Sequence, residues 1–196
     1  MSDFHGIDHT CRSEISNKIV GHDIKFEIIK KPDIRENVND LWRKKKRRVT
    51  MDRIETTVAL MTPGKINCAQ AILRAFGQSH GIDTADAMIL GRPWGGGLAS
   101  SGGMCGFISG AVLVLAKAFH HGDEALARQR VTSGVKELLR RFQERCHGLQ
   151  CKELLGADLS TEAGRQKISA ENLFEKRCPL FGRAAAEILE QLLQAG

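Results

Sequence analysis

The sequence predicts an all-α protein, a compact bundle of about six or seven helices with a glycine-rich loop ahead of a buried central helix. Three observations predict it. From Met51 onward, apolar residues recur at three- and four-residue spacing. The stretches that carry them begin at capping residues and end at glycine. No segment after Met51 alternates apolar and polar residues as a half-buried strand would.

Ile54, Val58 and Met61 lie along one face of a short helix that ends at Pro63-Gly64. Asn67 is placed to cap a helix that opens with Cys68-Ala69-Gln70 and runs to about His80. Its apolar positions are Ala69, Ile72, Leu73 and Phe76, and Gly81 is its stop. Asp83 caps about two turns, Thr84–Leu90. Gly91–Gly110, GRPWGGGLASSGGMCGFISG, has six glycines in its first thirteen residues and reads as a tight irregular loop, because glycine supplies positive φ and close backbone approach. The run MCGFISGAVLVLAKAF is too long for a strand and contains no Pro. It reads as a buried helix from about Met104 to His120, with Cys105 in the first turn.

Glu124–Cys146 is a long amphipathic helix with Leu126, Val131, Val135, Leu138, Leu139 and Phe142 facing inward, closed by His147-Gly148. Cys151–Gly156 makes a turn or two. Ser160 and Thr161 are candidate caps for a helix Glu162–Lys176, in which Gly164 is unfavourable. Cys178-Pro179 opens the last helix, since Pro suits a first helical position. Ala184, Ala185, Ile188, Leu189, Leu192 and Leu193 line that helix.

Residues 1–50 read as a basic N-terminal extension, partly disordered, and 51–196 as a helical four-cysteine domain. The first 50 residues hold 12 Lys and Arg against 8 Asp and Glu; the remainder hold 17 against 15. Ile24, Phe26 and Ile28 alternate as in a strand, and Pro32-Asp33 with Glu36 resembles a helix start followed by Val38, Leu41 and Trp42. The run Arg43–Arg48 can bind phosphate backbones or anionic lipid, but no aromatic residues are interleaved with it, and a solvated face is the ordinary reading. His5, His9 and Cys11 are scattered rather than set at a ligand spacing. No secretory pattern opens the chain, and its longest apolar run stops at Lys117, so a cytoplasmic protein with no transmembrane segment is expected.

Six cysteines are present: Cys11, Cys68, Cys105, Cys146, Cys151 and Cys178. In a reducing compartment such residues serve as ligands, redox thiols or core residues rather than as staples. There is no C-x-x-C and no phosphate-loop motif. Cys68, Cys105, Cys151 and Cys178 each fall at an expected helix start. Helix starts that converged would hold thiolates in a positive field and lower their pKa, while Gly95, Gly96, Gly97, Gly103 and Gly106 would let the backbone approach a bound group. The plain alternative is four small core residues. Spacings of 37, 46 and 27 residues carry no local metal signature.

Asn67-Cys68-Ala69-Gln70-Ala71, the glycine loop leading into Cys105-Gly106-Phe107-Ile108-Ser109-Gly110, Cys151-Lys152-Glu153-Leu154-Leu155-Gly156 and the late Cys178 resemble the C-GCAxxG-C-C family, named for four cysteines and a C-G-A-x-x-G motif. The resemblance spans about Met51 to Ala195. Phe107 stands where the family has Ala, filling space near Cys105 and bringing close packing there into question. The resemblance implies an all-helical, redox-linked protein. Cys68, Cys105, Cys151 and Cys178 would either ligate zinc or an iron–sulfur centre, or work as thiol/disulfide pairs with a redox partner that the sequence does not name. Four cysteines allow three pairings, and Cys146-x₄-Cys151 is a further candidate pair. Three other readings stand beside it. One is a non-catalytic helical module that contacts a partner, nucleic acid or anionic lipid through Arg43–Arg48. Another is a homodimer through Leu189–Leu193, a stripe that reads first as core. The third is an acid–base enzyme using His80, His120, His121 or His147, none of which the sequence pairs with a nucleophile.

Overall fold

Four of the helices begin where a side-chain oxygen takes up otherwise unpaired amides. The computed structural model describes residues 43–45, 53–61 and 65–195. The helices from the second half of the first hundred residues onward are α1 (53–60), α2 (Cys68–Phe76), α3 (Thr84–Gly91), α4 (Gly106–Ala118), α5 (Glu124–Cys146), α6 (Cys151–Leu155), α7 (Glu162–Glu171) and α8 (Leu173–Ala195). Short 3₁₀ turns, Gly77–His80 and Arg92–Trp94, extend α2 and α3. The described residues contain no strand, only one isolated antiparallel bridge, Met104 with Gln150.

Asp83 accepts from the Asp86 amide at 2.8 Å, Asp123 from Ala125 and Leu126 at 2.9 and 3.1 Å, and Thr161 from Gly164 at 3.0 Å. At the other ends, Gly81, His147, Gly156 and Asn172 adopt left-handed backbone. Asn67 does more than cap. Its Oδ1 accepts from the Gln70 amide and Gln70 Oε1 accepts from the Asn67 amide, both at 3.0 Å. The two side chains then donate to the carbonyls of Gly91, Arg92 and Met88 at the end of α3, at 3.1, 3.1 and 2.8 Å. One pair of amides thus closes the start of α2 and the end of α3. Asn67→Ala is expected to cost about 1–2 kcal/mol, read as a lowered denaturant midpoint.

The last two helices differ from the sequence expectation. The break falls at Asn172, whose φ of 51° closes α7, and α8 runs unbroken from Leu173. Cys178 and Pro179 lie inside α8 rather than at its start. Proline there leaves the Glu175 carbonyl without its usual N–H donor. The helix continues because its buried face does: Leu173, Cys178, Phe181, Ala184, Ala185, Ile188 and Leu189 all lie in the core. Burial on that scale outweighs one lost bond. The central helix also starts two residues later than expected, because Met104 is held in the bridge.

Helix α4 is the centre of the bundle, packed on α2, α5 and α8, with Phe107, Ile108, Ala111, Val114 and Leu115 inaccessible or nearly so. Its closest neighbour is α2. A Cβ on Gly110 would lie 2.4 Å from Ile72 Cγ2 and 2.8 Å from the Ala69 carbonyl, and one on Gly106 would lie 3.1 Å from Cys68 Cβ. These two glycines, one helical turn apart, set the distance between the helices. The Phe107 ring does not crowd the crossing. It turns toward α8, where a Cβ on Gly182 would come within 2.7 Å of Phe107 Cζ. Packing here is close, contrary to the expectation, because Gly182 receives the ring.

Helix α1 is tied to α8 by ion pairs. Arg53 meets Glu190 at 2.7 Å, and Arg183 holds Glu55 with two bonds of 2.6 and 2.8 Å. Glu190 is only 3% exposed; it also accepts from Gln194, and the Arg53 guanidinium lies 5.0 Å from the centre of the Phe76 ring. No helix among the described residues is long and apolar enough to cross a membrane. Of the basic run, Arg43, Lys44 and Lys45 are helical and exposed. Lys46–Arg48 and the other readings made of residues 1–42 lie outside the described residues.

Candidate thiol site

The glycine loop forms the floor of the site. Residues 96–100 are left-handed in succession, with φ of 61°, 75°, 66°, 50° and 60°. Three of them, Leu98, Ala99 and Ser100, carry side chains, and each such residue costs about 1–2 kcal/mol. Hydrogen bonds hold the turn: Ala99 to the Pro93 carbonyl, Ser100 to Gly95, Gly102 to Gly96 and Gly103 to Gly97, at 2.8 to 3.0 Å. The chain then pairs with the segment before α6. The Cys105 amide donates to the Leu149 carbonyl at 2.8 Å, Cys151 to Gly103 at 2.6 Å and Lys152 to Gly102 at 3.0 Å. Met104 and Gln150 are opposed and both exposed. Side chains alternate across extended backbone, so Cys105 and Cys151 turn together to the inside. Only glycine fits at residue 97, where a Cβ would sit 2.5 Å from the Gly103 oxygen and 2.9 Å from Cys151 Cβ.

The opposite wall is α2 and α8. Cys68 occupies the first position of α2, and Gly106 brings it against the start of α4. Cys178 reaches the same place from within α8, near enough to be the strongest influence on the Cys68 thiol. Cys105 senses the charge of Cys68, and Cys151 senses both. The structure therefore brings Cys68, Cys105, Cys151 and Cys178 into one site. Cys68 is half-buried, whereas Cys105, Cys151 and Cys178 are 4%, 8% and 4% exposed. Cys146, the last residue of α5, is buried and is not among the groups that shift Cys68, Cys105 or Cys151. None of the five described cysteines is joined in a disulfide.

The expectation of lowered pKa values is corrected. The neighbouring Cys178 thiol and burial push Cys68 well above its usual range. Burial pushes Cys105 up to about 12, and burial followed by the charges of Cys105 and Cys68 raises Cys151. The amides of Phe107 and Ile108 point toward the Cys105 sulfur and oppose its rise, but neither makes a full cap bond. Desolvation of an anion in the core exceeds what two helix-end amides return. Cys68, Cys105 and Cys151 are held as neutral thiols.

A stability prediction follows with its sign. In the unfolded chain the thiols ionise near 9.0; folded, Cys105 keeps its proton toward pH 12. Above pH 9 the unfolded state binds fewer protons, so stability is full below that value and falls as pH rises through the interval. Each thiol contributes a slope of at most about 1.4 kcal/mol per pH unit. Denaturant unfolding between pH 8 and 10.5 should show a shallower decline for Cys105→Ala than for the unaltered chain.

The glycines named as candidate backbone contacts face protein atoms. A Cβ on Gly95 would meet Asn67, one on Gly96 would meet Ser100 and Leu159, and Gly97 and Gly103 face each other across the loop. Among the described residues, no three His, Cys, Asp or Glu side chains are placed to hold one metal ion. The four thiols are therefore not arranged here as the tetrahedral donor set of a single zinc ion. The histidines are dispersed: His80 lies near Arg53 and Glu190, with its pKa lowered by burial and then by Arg53, and His121 accepts from the Asp123 amide at 3.0 Å.

With this arrangement described, one comparison is decisive. The profile of a family described as "Putative redox-active protein (C_GCAxxG_C_C)" matches residues 66–192. The chain belongs to this family. No curated protein and no solved structure matches it. The match takes in all four C_GCAxxG_C_C cysteines and the loop between them. In this C_GCAxxG_C_C chain, Gly106 and Gly110 have a physical task, since they let α2 seat Cys68 beside Cys105. Asn67 and Gln70 have one as well, since they fix the end of the helix on which Cys68 rides. Sequence reasoning missed the buried Arg53–Glu190 pair and the placement of Cys178 within a helix. Asn172, a residue that tolerates left-handed backbone, was the available signal for the second.

Proposed function

We propose that the chain is a thiol–disulfide oxidoreductase that reduces a partner disulfide through Cys68, with Cys178 as the resolving thiol. One observation carries this reading: Cys178 is the neighbour that acts most strongly on the Cys68 thiol, and Cys68 is the more open of the two. The Cys68 thiolate attacks one sulfur of the partner disulfide and expels the other as a thiol. Cys178 then attacks Cys68 and expels the second partner thiol. The dithiol becomes a disulfide, and the partner gains two electrons and two protons.

The direction follows from the environment. A thiol whose pKa is raised is a strong nucleophile once deprotonated and a poor leaving group, which favours giving electrons over taking them. Protein purified without oxygen should be colourless and hold no stoichiometric metal. Treated with an aromatic disulfide, Cys178→Ser combined with Cys105→Ala, which leaves no adjoining thiol to resolve it, should accumulate a mixed disulfide on Cys68, detected by intact mass and peptide mapping. Equal labelling of every cysteine, or none at Cys68, would discard the assignment.

A further inference from the structure

The exchange just described leaves Cys105 and Cys151 without a task. A lone buried cysteine is ordinary core, but these two are placed as a pair. They share the inward side of the Met104–Gln150 bridge, tied by the Cys105–Leu149 and Cys151–Gly103 hydrogen bonds. Cys105 also precedes Gly106, the residue pressed against Cys68. The neighbours therefore run in one order: Cys178 beside Cys68, Cys68 beside Cys105, Cys105 beside Cys151. Resting on the proposed exchange at Cys68, we infer that Cys105 and Cys151 form an interior dithiol that re-reduces the Cys68–Cys178 disulfide, so that one chain reduces two partner disulfides in succession.

The steps balance without an external reagent. After the first partner has been reduced, Cys105 attacks the Cys68 sulfur of the Cys68–Cys178 disulfide. The bond to Cys178 breaks, and the leaving Cys178 sulfur takes the proton that Cys105 gives up. Cys151 then attacks Cys105 in the Cys68–Cys105 disulfide; Cys68 leaves and takes the proton of Cys151. The products are a Cys105–Cys151 disulfide and a restored Cys68/Cys178 dithiol, with two electrons and two protons moved outward. Diagonal neighbours across an antiparallel pair sit about 7–8 Å apart at Cα, and a disulfide needs less than about 7 Å. Closure thus asks for a shift of about 1 Å, which adjacent Gly102 and Gly103 can supply.

The test is a stepwise titration of the fully reduced, oxygen-free full-length chain with 4,4′-dithiodipyridine, followed by alkylation and disulfide mapping. At one molecule per chain, the disulfide should be found at Cys105–Cys151; at two, Cys68–Cys178 should join it. Cys151→Ala should halt at a Cys68–Cys105 disulfide, and Cys68→Ser should form no Cys105–Cys151 link. Cys105 and Cys151 both free at two molecules per chain would overturn the relay and leave exchange at Cys68 standing. A Cys105–Cys151 link in Cys68→Ser would likewise overturn it. Failure of Cys68 to react at all would overturn both.

Discussion

Cys68→Ser is expected to slow the reduction of an aromatic disulfide by at least about 100-fold, because a hydroxyl cannot supply the sulfur nucleophile and no other cysteine of the site is as open. The loss should come with little change in stability. Serine keeps the size and hydrogen-bonding capacity of the side chain beside Cys178, and the cap at Asn67 is untouched. Unfolding midpoints should agree within about 1 kcal/mol. Cys178→Ser combined with Cys105→Ala should behave differently: the first attack survives and only the release of the second thiol fails, so a single rapid burst is followed by arrest. Stopped-flow absorbance of the released aromatic thiol separates the two. A Cys68→Ser rate within threefold of the unaltered chain would remove Cys68 from the reaction.

Gly110→Ala should lose about 3 kcal/mol or more, a fall in Tm of roughly 6–12 °C. Alanine is the better helix former, so propensity alone predicts a gain. The crossing reverses the sign. The new methyl would stand 2.4 Å from Ile72 Cγ2, 2.8 Å from the Ala69 carbonyl and 3.1 Å from Ala69 Cα, and two of those three atoms are backbone. A backbone atom cannot rotate away, so α4 must lift from α2. Cys105 and Cys68 ride on the starts of those helices, so disulfide reduction should fall with stability. Gly122 is the control. Nothing lies within 4 Å of a Cβ there, and Gly122→Ala should stay within about 0.5 kcal/mol. Calorimetry on the two variants decides; equal melting would mean that the helices do not approach as closely as described.

Local chemistry was legible in the sequence, and distant pairing was not. Asn67, Asp83 and Thr161 announce helix starts because a cap acts within three residues. Cys178-Pro179 misled for the same reason: proline's local preference for a helix start is real, but the apolar face running through Leu173 and Phe181 overrides it. The four cysteine addresses could be named from motif neighbours, yet no spacing foretells the Met104–Gln150 bridge, which joins residues far apart in sequence. Electrostatics was misjudged because the helix end is visible in sequence and the depth of burial is not. Cys105 has its amides, and it has desolvation in greater measure. Phe107 looked obstructive until Gly182 was seen opposite it, one helix away.

The backward-wound stretch from Gly96 to Ser100 also governs where this chain can be cut and spliced. Its bonds from Ala99, Ser100, Gly102 and Gly103 each count off a fixed number of residues, so an inserted peptide at Ala99 would shift every partner and drag Cys105 from its neighbours. The bend at Gly122 has no such bookkeeping and open water around it. A reporter grafted at Gly122 should leave the sulfur chemistry intact, and the same graft at Ala99 should silence it.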